Sequence, residues 1–409
     1  MTSRNRWIAT LAAVAVLTAA GGAGAQDWPQ WRGPDRDGKT AGFAVPAAWP
    51  ASPAKQWQAK VGPGDATPAL VGDHLYVFTR QGGSEVVLCL NAADGSEVWK
   101  QGYPAPEVKG AASRHPGPRG SPLVADGKVV ALGATGIVTC FNASDGKVLW
   151  RADPYPNQVP TFFTSMSPMA VDDTVIVHLG GKGKGGLLAY DLASGEQKWR
   201  WAGEAPEYAS PVLMTSGGTK QIVTLTEKSV VGVAAADGRL LWQLPFPPAR
   251  RAYNAATPIV DGSTVIYTGA ARGTFAVTVE KAGDAFAARP VWSNEKVAVQ
   301  YNTPVLKDGY LYGMTAGGNL FCASAKTGET AWVDEARHGR GFCAIVDVGP
   351  CLMALPSTGE LIIYKPDPQK YDEVARYKVS DRDTYAHPVP SGKRIVIRDQ
   401  ETVALWTVE

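Results

Sequence analysis

The sequence predicts an all-β chain folded as an eight-bladed β-propeller of four-stranded antiparallel blades, closed by a strand from its own N-terminal region. Three observations carry this. A Ser/Thr-Pro step or close variant opens an apolar run at Pro68, Pro122, Pro168, Pro211, Pro258, Pro304 and Pro388, with gaps of 54, 46, 43, 47, 46 and 84 residues. The last gap is double, and Cys343-Ala344-Ile345-Val346 begins the same pattern in its middle without a proline. A period of 40–50 residues carrying only strand signals marks a propeller.

The second observation is a turn followed by tryptophan late in each unit: Asp94-Gly95 to Trp99, Asp145-Gly146 to Trp150, Ser194-Gly195 to Trp199, Asp237-Gly238 to Trp242, and Thr327-Gly328 to Trp332. Glycine there supplies the positive φ of a tight hairpin. Trp292 closes a fifth unit with a lengthened turn, and the seventh unit, from Leu361 to Val379, has no tryptophan. The third observation is closure. After Pro388 the eighth unit offers only Arg394 to Arg398 and Thr402 to Trp406, one strand short, while an unassigned Trp-bearing strand, Lys55 to Ala59, precedes unit one. Pairing the two removes an exposed sheet edge.

Three segments follow. Residues 1–25 read as a signal peptide: Arg4 and Arg6, an apolar stretch from Trp7 to Ala20, and Ala23-Gly24-Ala25 before Gln26. Residues 26–54 are a Pro- and Trp-rich strap (Trp28, Trp31, Trp49) expected on the propeller surface, because three freely exposed indoles would be unfavourable. Residues 55–409 form the propeller. The apolar stretch of the signal is short for a permanent membrane span. The mature chain is expected to be periplasmic or secreted, monomeric, and without an integral membrane segment.

The formal charge of the chain is +2 and falls to zero without Arg4 and Arg6, which gives no electrostatic reason to bind nucleic acid. Of the five cysteines, Cys89, Cys140 and Cys322 occupy one recurrent slot filled elsewhere by Ala189 and Gly232, and read as small buried hydrophobes. Cys343 and Cys351 lie on successive strands of unit seven, where a disulfide across the hairpin is an open alternative. The five histidines show no metal or triad spacing and read as structural. Asp35-Arg36-Asp37-Gly38 lacks the downstream Glu of a calcium loop and reads as a turn. Gly180 to Gly186 lacks the Lys-Ser/Thr pair of a phosphate loop and reads as a basic hairpin tip.

The loops that enter each innermost strand should converge on one mouth of the central channel. From them come the candidate binding residues Arg119, Tyr208, Tyr253, Asn254, Tyr301, Asn302, Arg340 and Tyr385. Aromatics, arginine and asparagine gathered at a concave mouth are the composition of a recognition surface. The competing reading is that the aromatics cap the blade interfaces. No catalytic or metal-binding residue is assigned.

The Gly-led strand, Asp-Gly turn and closing Trp resemble the tryptophan-docking repeat of pyrroloquinoline-quinone-type propellers. Asp27-Trp28-Pro29-Gln30-Trp31-Arg32-Gly33-Pro34 looks like the opening of many exported members of that family. The resemblance implies one of two functions. Quinone- and Ca²⁺-dependent alcohol or sugar dehydrogenases hold the quinone over the funnel, with Ca²⁺ on Glu, Asn and Asp, a stacking Trp and often a vicinal Cys pair. No two cysteines adjoin here and there is no C-x-x-C-H haem site. The other class, similar to the propeller of the outer-membrane barrel-assembly machinery, binds proteins without catalysis. The lipoprotein cysteine of that class is absent near the cleavage site. The expectation is a non-enzymatic envelope scaffold for a protein or cell-envelope ligand, without cofactor; the alternative is a dehydrogenase with divergent ligands.

Overall fold

A computed structural model describes residues 27–408, so the signal sequence at residues 1–25 lies outside the described residues. Eight four-stranded antiparallel sheets follow one another around a central axis. Blades 1 to 7 take their strands in chain order, spanning residues 69–104, 123–152, 169–201, 212–245, 259–294, 305–333 and 343–378. In blade 8 the strands Val389–Ser391, Arg394–Arg398 and Thr402–Thr407 are completed by Ala54–Lys60, which pairs antiparallel with Thr402–Thr407 at the outer edge. The predicted closure is therefore present, with a register shift between Lys55 and Trp57.

Short three-residue strands such as Ala69–Val71 and Leu123–Ala125 line the axis. Second and third strands are almost wholly buried, whereas a fourth strand such as Glu97–Pro104 alternates toward solvent. The core is consequently divided among the blade interfaces: one cluster joins blades 1 and 2, another blades 2 and 3, and so on around the ring. Apolar burial at about 25 cal/mol per Å² thus acts between neighbours.

Two devices tie neighbouring blades. Each of Trp57, Trp99, Trp150, Trp199 and Trp292 donates its indole N–H to a backbone oxygen of the following blade, Ala92, Ala143, Leu192, Ala235 and Ala325 in turn. The ring lies so close to the turn glycine of that blade that a Cβ on Gly95, Gly146, Gly195, Gly238 or Gly328 would sit 2.4 to 2.6 Å from it. Glycine is thus required both for its positive φ and for this contact. Trp242 departs from the pattern because blade 5 has no short turn there. The blade 5 hairpin Gly273–Ala282/Ala285–Asn294 packs Phe286 and Ala288 into the blade 4 cluster. The indole of Trp242 instead folds over Gly232 and donates to Gln221 Oε1 at 2.7 Å.

The second device explains the Ser/Thr-Pro steps. The hydroxyl before six of the seven prolines accepts from the equivalent backbone N–H of the preceding blade: Thr67 to Ser121, Ser121 to Ser167, Ser167 to Ser210, Ser210 to Thr257, Thr257 to Thr303, and His387 to Thr67, at 2.9 to 3.1 Å. The chain of bonds breaks at blade 7, where Phe342 and Cys343 replace the motif. There Tyr301 and Phe342 stack instead, 4.2 Å apart and 3° from parallel.

The small-residue slot is the position directly opposite the tryptophan: Cys89 faces Trp99, Cys140 faces Trp150 and Cys322 faces Trp332. All five cysteines are free and buried. The Cys343–Cys351 pair cannot bridge, because Cys343 sits opposite Pro356 at the far end of the hairpin whereas Cys351 lies beside its turn, bonded to Val348. Lys182-Gly183 form the two-residue turn of the basic hairpin, both at positive φ.

The strap differs from expectation. Its first part enters the hub rather than lying on the outer surface. Trp28 pairs with Leu70 of blade 1 and Pro29 accepts from Val124 of blade 2. Arg32 and Arg36 are then fully buried on the axis. Arg36 donates to the carbonyls of Pro211, Pro168 and Ser167 at 2.8 to 3.1 Å, and Arg32 to those of Thr303 and Pro304 at 2.8 and 3.0 Å. A Cβ on Gly38 would meet the Arg32 guanidinium at 2.9 Å, so only glycine fits this turn. The chain leaves beneath blades 7 and 8 through Thr40 and Phe43, and Tyr377 donates to the Pro50 carbonyl at 2.7 Å. Phe43, Trp49 and Tyr377 pack together where blade 7 lacks its tryptophan. The hub attracts the strap because the Pro steps leave inward carbonyls that the ladders do not satisfy.

Candidate functional site: an aromatic mouth over a plugged channel

Above the plug lies a cavity of about 420 Å³, to which each of the eight entry loops contributes a side chain: Asp65, His115, Phe162, Tyr208, Tyr253, Tyr301, Phe342 and Tyr385. The placement follows from topology, since each loop leaves an outermost strand and must cross the mouth face to reach the next innermost one. The rings pack edge to face in two arcs. His115 meets Tyr385 at 5.0 Å, and Tyr385 meets Phe342 at 5.2 Å. Tyr253 meets Phe162 at 5.3 Å and Tyr208 at 5.6 Å. Tyr208 also accepts from the Phe162 backbone N–H at 3.0 Å, which fixes its ring.

Trp31 forms the floor. Its ring lies 5.6 and 5.4 Å from the Arg32 and Arg36 guanidinium carbons and meets His387 edge-on at 5.7 Å. Burial holds His387 neutral, its pKa pushed down to about 3, and its Nε2 has no hydrogen-bond partner. On the wall, Arg119 donates to the His115 carbonyl at 2.8 Å, while its Nη1 is buried without a partner. His115 Nδ1 lies 2.9 Å from Asp65 Oδ2. Beneath Arg119, buried Glu85 accepts from Tyr103 and from the Ala134 N–H, each at 2.8 Å; burial nevertheless raises its pKa.

Of the residues singled out by sequence, Arg119, Tyr208, Tyr253, Tyr301, Asn302 and Tyr385 line this one cavity, with Tyr301 the most open at 36% exposure. The Asn302 amide is spent on Met314 and Gly341 carbonyls and on the Met314 N–H. Asn254 is not at the surface. It is fully buried, donating to Thr226 and Phe246 carbonyls and accepting from Arg272. Arg340 stays exposed outside the cavity lining. The candidate residues did not include Trp31, His115, Phe162 or Phe342, although the loops of the last two were expected at the mouth. The loop positions of the last three carried the available signal; Trp31 carried none, since its route into the hub depends on backbone carbonyls.

Glu207 accepts from the Asn254 N–H, and burial pushes its carboxyl from 4.5 up to about 7, with Glu227 adding to the shift. A carboxyl with a raised folded-state pKa stabilises the fold fully below its unfolded value and loses that contribution as pH rises through 7. Glu207→Gln is therefore expected to gain stability relative to the parent between about pH 5 and pH 8. Melting temperatures of the two proteins across this range would show it; a constant difference would contradict the assignment.

The donors of a Ca²⁺-held quinone do not assemble here. Asp65 is engaged by His115, both asparagine amides are satisfied by the wall, and no group of three His, Cys, Asp or Glu converges among the described residues. The mouth can offer ring faces, hydroxyls and the guanidinium groups of Arg114 and Arg119. Among the described lining residues no hydroxyl or thiol is hydrogen-bonded to an imidazole.

Comparison with known proteins places this geometry. The family described as outer membrane protein assembly factor BamB matches residues 44–201 and 182–334. An outer membrane protein assembly factor BamB of Yersinia pestis is 23% identical over 333 residues, covering 76% of this chain and 70% of that protein. The BamB of Burkholderia pseudomallei is 30% identical over 114 residues, covering 28% of this chain and 27% of that one. Among solved structures, BamB from Moraxella catarrhalis superposes with a TM-score of 0.64 at 16% identity, over 88% of this chain and 98% of that one. A quinohemoprotein alcohol dehydrogenase from Comamonas testosteroni superposes with a TM-score of 0.70 at 14% identity, over 93% and 80%. At these identities the structural likeness shows the fold alone. The family match spans well over half of the chain, and the protein therefore belongs to the quinoprotein-type β-propeller family described as outer membrane protein assembly factor BamB.

Proposed function

We propose that this protein is a non-catalytic, cofactor-free binding propeller of the cell envelope that captures a polypeptide partner at its aromatic mouth in the course of outer-membrane protein assembly. The observation that carries this reading is the ring of side chains from eight loops around one cavity, seven of them aromatic or imidazole rings. Half-exposed aromatics packed on one another are rigid and pre-ordered, which lowers the entropic cost of binding. The relatives named as assembly factors support the envelope setting, and the donor set at the mouth argues against quinone chemistry.

The test is partner capture by the purified full chain from detergent-solubilised envelope. Tyr253→Ala combined with Tyr301→Ala is expected to weaken capture at least tenfold, as loss of about 1.4 kcal/mol or more from a hot spot would do. Because Tyr301 stacks on Phe342 between blades, a modest drop in melting temperature is expected too, and capture is compared per folded molecule. Undiminished capture by a folded double variant would contradict the reading.

A further inference from the structure

Cations outnumber carboxylates around the mouth: Arg114 and Arg119 line it against Asp65, with Glu85 buried beneath Arg119. Behind the floor, Arg32 and Arg36 are buried cations whose described hydrogen bonds go to carbonyls and to Gln30 Oε1, none of them ionised. They lie directly under the Trp31 ring. On the wall, Arg119 Nη1 is buried without a partner. Asp65 is the one carboxylate among the described lining residues, and His115 occupies it at 2.9 Å. Low-dielectric walls focus such a field into the cavity rather than letting water screen it. An anion entering here gains a charge-assisted bond from Arg119, and its flat apolar neighbour gains ring faces on every side.

Resting on the reading that the mouth captures polypeptide, we infer that its ligand is a peptide segment in which an aromatic side chain lies beside a carboxylate. The ring enters the cavity over Trp31, between Tyr253 and Tyr385, and the carboxylate pairs with Arg119. That carboxylate belongs either to a chain end or to an adjacent acidic side chain, and both present the same chemistry to the guanidinium.

Calorimetric titration of the full chain with three peptides separates these. The probes are acetyl-Gly-Ser-Gly-Ser-Tyr with a free C-terminal carboxylate, the same peptide as its C-terminal amide, and acetyl-Gly-Ser-Gly-Asp-Tyr amide. At least one carboxylate-bearing peptide is expected to bind about tenfold or more tightly than the neutral amide, as a charged hydrogen bond at a shielded site would give. Which of the two does so identifies the source. The preference should shrink with added salt, collapse in Arg119→Gln, and survive in part in Arg119→Lys, which keeps the charge if the first variant folds poorly. Equal affinity of acid and amide, or no binding of any peptide, overturns the inference. Partner capture that still depends on Tyr253 and Tyr301 would then leave the proposed function standing, whereas loss of that dependence would remove both.

Discussion

Arg36→Leu is expected to destabilise the protein by about 3–5 kcal/mol, the range seen when one member of a buried charged network is removed. Two effects oppose each other. Burying the guanidinium is costly, as its pKa, lowered to about 9 by desolvation and by Arg32, attests. Leucine relieves that cost but leaves the buried carbonyls of Pro211, Pro168 and Ser167 without the donor that satisfies them. Each unsatisfied buried acceptor costs about 1–3 kcal/mol, so three outweigh the relief. Arg36→Lys should fall between, because a point donor cannot reach three carbonyls on two blades. Urea denaturation of the three proteins checks the order; a leucine variant as stable as the parent would show that the plug is not what holds the hub.

Deleting residues 27–60 is expected to abolish cooperative folding. The deletion removes the outer strand of blade 8, exposing the edge of Thr402–Thr407, and withdraws Trp57 from Gly95 and the Ala92 carbonyl. It also removes the plug and Trp28, which packs in the cluster shared by blades 1, 7 and 8. Ring closure converts eight pairwise interfaces into one cooperative unit, and an open ring has two unprotected ends. The milder Trp57→Ala should cost about 3–5 kcal/mol, as large aromatic truncations do. Circular dichroism melts read both, and a truncated chain melting like the parent would contradict closure by Ala54–Lys60.

The fold was legible because each blade repeats the same local chemistry. The Ser/Thr-Pro step, turn glycine and closing tryptophan recur because each serves an identical neighbour, and Lys55 to Ala59 stood out as a fourth strand in search of a blade. The mouth was half legible. Position within an entry loop predicts which face a residue reaches, and six of the eight named residues line the cavity there. It does not predict whether a polar side chain turns outward. Asn254 and Asn302 turn inward because their amides donate to the Thr226 and Phe246 carbonyls and to the Met314 and Gly341 carbonyls. The strap was least legible: it was expected on the propeller surface, since the acceptors that bury Arg32 and Arg36 are main-chain atoms with no residue-type signature.

The central claim is that the loop-bearing mouth, and not the opposite face, meets the partner. Photo-crosslinking in cells tests it most directly, with a benzophenone amino acid placed at Tyr301 on the mouth or at Lys326 in a hairpin turn of the opposite face. A discrete polypeptide adduct from position 301, absent from position 326 and diminished when Tyr253 is also changed to alanine, is the predicted result. Adducts from position 326 alone, or none from position 301 in a folded protein, would contradict it.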